Sequence, residues 1–153
     1  MSDLSKATRA FLVTGDDEAT IETETQRILA RVAGPAPDAF SLDVVRERTG
    51  ASVADLVHEV IRSLKAPPFM GAHKTVWLQS FSSFASEGTA RGKGPEAQAF
   101  RELADLIEAD LSHDVYLLMN GPGADPKKRL ATVCAAKGGL VLCSRPSIRS
   151  REW

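Results

Sequence analysis

The sequence lacks the features that would place a protein in a membrane or on nucleic acid by composition alone. It has no apolar run that approaches the length of about 18 residues needed for a membrane-spanning helix. Its 19 basic and 20 acidic residues leave a formal net charge of -1, so the chain as a whole does not attract DNA or an anionic membrane. We therefore expect a cytoplasmic protein without a membrane partner, in which any contact with DNA is local or indirect.

Residues for metal binding or nucleophilic catalysis are also scarce. The only two cysteines, Cys134 and Cys143, lie nine positions apart and lack the close pairing of a zinc or thioredoxin motif. His58, His73 and His113 do not have metal-ligand spacing, and no Gly-x-Ser-x-Gly sequence is present. We expect two buried thiols in a reducing compartment, and we predict no catalytic residue, no metal and no cofactor.

What the chain does contain is the pattern of one α/β domain. It has 153 residues, 43% hydrophobic and 25% charged, which is enough to bury one core. Short apolar runs alternate with amphipathic helical stretches, and this order is typical of a doubly wound, mainly parallel five-stranded sheet with flanking helices. The predicted strands are 11–13, 39–43, 75–78, 115–119 and 140–143, and the predicted helices are 20–32, 52–64, 95–111 and 126–137.

The turn after the first strand is acidic. A phosphate-binding loop that began at Gly15 would need its second glycine and its lysine at the positions of Thr20 and Ile21. The chain instead carries Asp16, Asp17 and Glu18, whose charges repel a nucleotide. We expect Asp16 or Asp17 to cap the next helix, with Glu18 complementing the helix dipole. The alternative is a nucleotide- or magnesium-dependent enzyme that uses the three carboxylates at 16–18.

The ends of the later strands do not supply the remaining parts of such an enzyme. A nucleotide hydrolase would need an acidic residue after the third strand to hold magnesium, but the chain has Gln79 and Ser80 there. Asn120 follows the fourth strand, where these enzymes place a polar sensor, although an asparagine is also common in turns.

Two large apolar residues stand in a proline-broken junction between the second helix and the third strand. Phe69 and Met70 follow Pro68 and precede His73 and Lys74. They could close the end of the core. If they are exposed, burial of each in a partner's pocket would contribute about 1.5–3 kcal/mol, with His73 and Lys74 on the rim.

Three blocks together resemble one known family. They are the strand and acidic turn at 11–17, the stretch 68–78 with its apolar pair, basic residues and strand, and the strand at 115–119 followed by 125–130 and 139–141. In order and spacing, the blocks resemble the N-terminal domain of the delta subunit of the bacterial DNA polymerase III clamp loader. The resemblance covers most of the chain.

The resemblance implies an AAA+-like fold that has lost its ATP site, with Gly15, Asp16 and Asp17 at the degenerate phosphate loop. It also implies a clamp-binding site at Pro68, Phe69 and Met70 that inserts into the ring-shaped sliding clamp and helps to open it, without catalysis of its own inside the polymerase holoenzyme. Residues 1–146 would form the AAA+-like domain and 147–153 the start of a linker. Other loader subunits would be bound through lid and collar domains that this chain does not contain. A diverged, stand-alone interaction module is the alternative.

Overall fold

The computed structural model describes residues 8–34, 41–68, 73–84, 94–111 and 114–144. Within these ranges the chain forms five strands and four helices, which alternate along the sequence with one helix after each of the first four strands. In order they are β1 (Ala10–Gly15), α1 (Glu18–Ala33), β2 (Leu42–Arg46), α2 (Val53–Lys65), β3 (Lys74–Gln79), α3 (Gly94–Glu108), β4 (Val115–Asn120), α4 (Arg129–Ala136) and β5 (Leu140–Cys143).

The five strands form one sheet in the order β2-β3-β4-β1-β5, and every pair of neighbours is parallel. The predicted α/β sheet is therefore confirmed. From β1 the chain crosses to the far edge at β2, returns strand by strand to β4, and then passes β1 to reach β5. The order thus reverses at β1, and in open α/β sheets ligands bind beyond the carboxyl ends of the strands at such a point.

Helices cover both faces of the sheet. On one face, Ile21 and Ile28 of α1 pack against Phe11 of β1 and Leu118 of β4. The opposite face carries the larger core, in which α2, α3 and α4 pack over the alternate residues of the same strands. Phe81, Phe84 and Phe100 belong to this larger core; the ring centroids of Phe81 and Phe84 lie 4.8 Å apart in an edge-to-face arrangement. None of the described helices is long and apolar enough to cross a membrane.

Helix α2 begins as the sequence predicts. The hydroxyl of Ser52 accepts a hydrogen bond from the Asp55 backbone N–H at 3.0 Å, and the Asp55 carboxylate accepts one from the Ser52 N–H at 3.1 Å. This reciprocal pair is a complete capping box, and it satisfies two of the backbone groups that a helix start leaves without partners.

Three predicted elements are misplaced by three residues at one or both ends. Helix α3, predicted to end at 111, ends at Glu108. Strand β2 runs from Leu42 to Arg46 rather than from 39 to 43, because Val44 and Val45 pair with Trp77 and Leu78 of β3. Helix α4 begins at Arg129 rather than at Pro126. The Asp125 carboxylate accepts from the Lys127 N–H at 2.9 Å, and the Asp125 carbonyl accepts from the Lys128 N–H at 3.0 Å. These bonds close a separate turn before the helix starts.

Candidate functional site

The crevice at the reversal point lies where a nucleotide would be expected, and the turn from β1 to α1 forms one side of it. This turn is short, because β1 ends at Gly15 and α1 already begins at Glu18. Thr20 and Ile21, the positions that a phosphate loop would need for its glycine and lysine, are therefore inside α1. The chain has no room here for a loop that wraps around a phosphate.

The backbone donors of the turn are used by the protein itself. The N–H groups of Asp16 and Asp17 both donate to the carbonyl oxygen of Cys143 at the end of β5, at 3.0 and 3.1 Å. Phosphate loops leave such N–H groups pointing at the anion. In this protein a neighbouring strand supplies the acceptor.

Gly15 makes that contact with β5 possible. Its φ is +141°, and a Cβ added at this position would lie 2.0 Å from the Cys143 carbonyl oxygen. The glycine is thus needed for the close approach of two strand ends, rather than for the approach of a ligand.

Asp17 caps α1, as predicted. Its carboxylate accepts from the Thr20 N–H at 3.3 Å and from the Thr20 hydroxyl at 2.7 Å. The prediction left open whether Asp16 or Asp17 caps the helix, and the structure assigns this role to Asp17.

Acidic side chains also stand on the rim of the crevice. The cleft has a volume of about 550 Å³, and Glu18 and Glu22 lie one helical turn apart on its α1 side. In the described part of the chain, no group of three or more histidine, cysteine, aspartate or glutamate side chains could hold a metal ion. The lining residues are Glu18, Ala19, Ile21, Glu22, Ser80, Ser82, Asn120, Gly121 and Pro122.

Asn120 closes the floor of the cleft and connects two strands. Its side chain is 2% exposed, and its carboxamide oxygen accepts from the Trp77 indole N–H at 2.8 Å and from the Ser80 backbone N–H at 3.2 Å. Ser80 has a left-handed backbone, with φ of +52°. Sequence reasoning considered Asn120 only as a sensor or a turn residue, although a buried tryptophan on the neighbouring strand needs an acceptor for its N–H.

The two cysteines are buried and form no disulfide bond. Burial, and to a lesser degree the nearby carboxylates of Glu24 and Asp17, raise the pKa of the Cys143 thiol. The thiol is therefore protonated and unreactive near neutral pH, as expected for a structural cysteine.

The second predicted site is the α2–β3 junction, the residues from Ala66 to His73. Its last residue, His73, directly precedes β3 and so lies at the amino ends of the strands, opposite to the crevice at their carboxyl ends. Pro67 and His73 are exposed and Pro68 is half-buried, while Phe69 and Met70 lie outside the described residues. The His73 ring centroid lies 6.3 Å from that of Tyr116 on β4.

Lys74, which the sequence predicts on the rim of this junction, is bonded to the end of α2. Its ammonium donates to the carbonyl oxygen of Ser63 in the last turn of α2, at 2.7 Å. A cation at this position also interacts favourably with the negative end of the helix dipole. Ser63 in turn donates its hydroxyl to the carboxylate of Asp43 on β2. This connection could not be predicted from the sequence, because its three residues come from three separate elements.

His58 has a partner that the sequence does not reveal. Its Nε2 lies 3.5 Å from a carboxylate oxygen of Glu102, and the pair joins the exposed sides of α2 and α3. The pair lies outside both candidate sites.

Comparison with known proteins identifies the family. Residues 11–143 match the family described as DNA polymerase III, delta subunit, and this range includes both the acidic turn and the α2–β3 junction. The chain belongs to the DNA polymerase III delta subunit family. The family expected from the three sequence blocks is thus confirmed.

A solved structure has the same fold. The crystal structure of a DNA polymerase III, gamma subunit-related protein from Thermotoga maritima matches with a TM-score of 0.56 and 14% sequence identity. The alignment covers 92% of the delta-family chain and 42% of the Thermotoga chain, so the domain described here spans less than half of that protein's length. No curated protein sequence matches the chain.

Proposed function

We propose that this delta-family chain binds the ring-shaped sliding clamp through its α2–β3 junction and helps to open it, without hydrolysing ATP. The family match carries the proposal, since it spans the junction as well as the acidic turn. Phe69 and Met70 would enter an apolar pocket of the clamp, and Pro68 would hold the start of this contact. His73 is exposed and can reach the rim of such an interface.

The absence of ATP hydrolysis is supported by the turn at 16–17. Its N–H groups are bonded to the Cys143 carbonyl, and Glu18 and Glu22 add negative charge beside the cleft. A nucleotide would have to displace the Cys143 carbonyl from these N–H groups and overcome the repulsion of the two carboxylates.

The wider assembly follows from the same proposal. The chain would work in the cytoplasm, with residues 1–146 as the AAA+-like domain and 147–153 as the start of a linker. Other loader subunits would be bound through lid and collar domains outside this sequence, and primed DNA would be contacted only indirectly.

Titration calorimetry of the chain into the sliding clamp of the same organism tests the proposal. We expect the wild type to bind and the Phe69→Ala, Met70→Ala double variant to lose at least about 2 kcal/mol, roughly a 30-fold weakening. Leu142→Ala is the matched control, because Leu142 is 53% exposed and lies on β5, the edge strand on the other side of the sheet from β2 and β3. It should bind like the wild type.

Two results would contradict the proposal. Absence of binding by the wild type would remove the clamp as partner of this chain and favour a diverged interaction module. Equal weakening by Leu142→Ala and by the double variant would remove the assignment of the site to the junction.

A further inference from the structure

One carbonyl oxygen connects the two ends of the α2–β3 junction. The Ser63 oxygen accepts from the Ala66 N–H at 3.3 Å, where the junction begins, and from the Lys74 ammonium at 2.7 Å, directly after it ends. The Ser63 hydroxyl adds a bond to Asp43 on the edge strand β2. The three side chains of Asp43, Ser63 and Lys74, here called the junction clasp, therefore connect β2, the end of α2 and the start of β3.

The backbone beside the clasp is paired as well. The Lys74 N–H donates to the Asp114 carbonyl at 2.9 Å, and the Thr75 N–H donates to the Ser41 carbonyl at 2.7 Å. The start of β3 is thus held by the strands on both of its sides. The Lys74–Ser63 bond of the clasp connects this strand start to the end of the helix that precedes the junction.

We infer that Asp43, Ser63 and Lys74 are positioning residues for the clamp contact, acting by fixing the two ends of the junction relative to each other. This inference rests on the proposed function. A segment whose ends are fixed has fewer conformations to lose when it binds, so part of the cost of ordering it is met before the clamp arrives. Lys74 would then contribute to clamp affinity without touching the clamp.

Two substitutions would disrupt the clasp without leaving a buried polar group unsatisfied, so we expect both variants to fold. Lys74→Met keeps the aliphatic stem of the side chain and removes only the ammonium. The Ser63 carbonyl keeps its bond from the Ala66 N–H, so the substitution leaves no buried acceptor unsatisfied. Ser63→Ala removes the bond to Asp43, whose side chain is exposed and can be solvated. The matched control is Lys65→Met, which removes an exposed cation from the same helix end.

The clamp titration gives the first readout. We expect Lys74→Met to weaken clamp binding about tenfold and Ser63→Ala to weaken it less, while Lys65→Met stays within about twofold of the wild type. Wild-type affinity of Lys74→Met, or an equal loss in Lys65→Met, would overturn the inference.

A double-mutant cycle separates positioning from direct contact. In a Met70→Ala background, substitution of a residue that acts through the junction loses most of its effect on clamp affinity. Substitution of a residue that itself touches the clamp keeps its full effect. We therefore expect Lys74→Met to weaken binding by less than about threefold in that background. A full tenfold loss there would assign Lys74 to the interface and overturn the inference.

Hydrogen exchange of the free chain provides a readout that does not depend on the clamp. We expect backbone amides of residues 69–73 to exchange at least about fivefold faster in Lys74→Met than in the wild type, with no change in Lys65→Met. If the wild type fails to bind the clamp, the proposed function fails while this measurement still decides whether the clasp fixes the junction. Unchanged exchange in Lys74→Met would overturn the inference even if the proposed function holds.

Discussion

At the residue scale, the carboxamide of Asn120 holds the carboxyl ends of β3 and β4 together. Its oxygen accepts two hydrogen bonds from β3 and the residue after it, one from the Trp77 side chain and one from the Ser80 backbone. Both Asn120 and Trp77 are buried, at 2% and 7% exposure, so neither the carboxamide oxygen nor the indole N–H can easily exchange its partner for water. A buried donor that loses its acceptor pays its full desolvation cost.

We expect Asn120→Leu to destabilise the protein by about 2–3 kcal/mol, because leucine has the same branched skeleton of four heavy atoms but accepts no hydrogen bond. Urea unfolding followed by tryptophan fluorescence measures the loss, with an unchanged dependence of the free energy of unfolding on urea concentration. Gln98→Leu, the same substitution type at an exposed position of α3, should change stability by less than about 0.5 kcal/mol. A comparable effect at both positions would show that the Trp77 bond is not the cause.

Lys74 shows how residue-level prediction reaches its limit. Its place in the sequence, four positions after Met70, is compatible with the rim of a binding surface. Its actual partner is a carbonyl eleven residues earlier, and that contact depends on how α2 and β3 cross in space. Local patterns of charge and hydropathy do not contain this information.

At the scale of single elements, α2 has the clearest start signal in the chain, and its capping box is sensitive to pH. The hydrogen bonds from the Ser52 backbone and then from the Ser52 side chain lower the pKa of Asp55. A folded-state pKa below the unfolded value of about 3.9 means that the ionised carboxylate stabilises the fold above that pH. The contribution is lost as the pH falls through the lowered folded-state pKa.

We therefore expect Asp55→Asn to melt at a lower temperature than the wild type near pH 7, with the difference shrinking below about pH 4. Thermal unfolding followed by circular dichroism across pH 3–7 measures this difference, and in a Ser52→Ala background part of it should remain, because the backbone N–H at position 52 still donates to the Asp55 carboxylate. A difference that stays constant down to pH 3 would show that the charge of Asp55 does not support the helix start.

The bounds of an element could be predicted where nearby residues determine them, as in a capping box. They could not be predicted where they depend on contacts with other parts of the chain. Strand β5 lies at 140–143 as predicted, and α2 starts at its capping box. Strand β2 was predicted three residues too early because residues 39–43 alternate like a short strand, whereas the structure also pairs Val44 and Val45 with Trp77 and Leu78. The start of α4 was misplaced because an Asp-Pro pair serves equally well in a turn and at a helix N-terminus.

At the scale of the whole molecule, the parallel sheet separates the two candidate sites. The acidic crevice lies at the carboxyl ends of the strands and the α2–β3 junction at their amino ends. The six residues of β3 between them span about 17 Å at the rise of a β-strand. The sequence predicted the sheet and both sites, but the strand order that places them at opposite edges came only from the structure.

The bonded turn and the acidic rim of the crevice predict how little nucleotide changes the melting temperature of the chain. We expect millimolar ATP with magnesium to change the melting temperature by less than about 1 °C. A nucleotide bound at 100 times its dissociation constant would add about 2.7 kcal/mol, which corresponds to several degrees for a domain of this size. Differential scanning fluorimetry, with an ATP-binding protein in the same buffer as a positive control, measures the shift. A rise of several degrees would favour a nucleotide- or magnesium-dependent enzyme that uses residues 16–18.

The bond between the β1–α1 turn and Cys143 also determines what a phosphate site at this turn would require. The oxygen that occupies the turn belongs to the main chain, so every amino acid at position 143 presents the same acceptor. Placing glycine and lysine at the positions of Thr20 and Ile21 would change side chains while the Cys143 carbonyl stays bonded to the turn. A phosphate site here would require β5 to withdraw from the turn as well, which is a change of the backbone and not only of side chains.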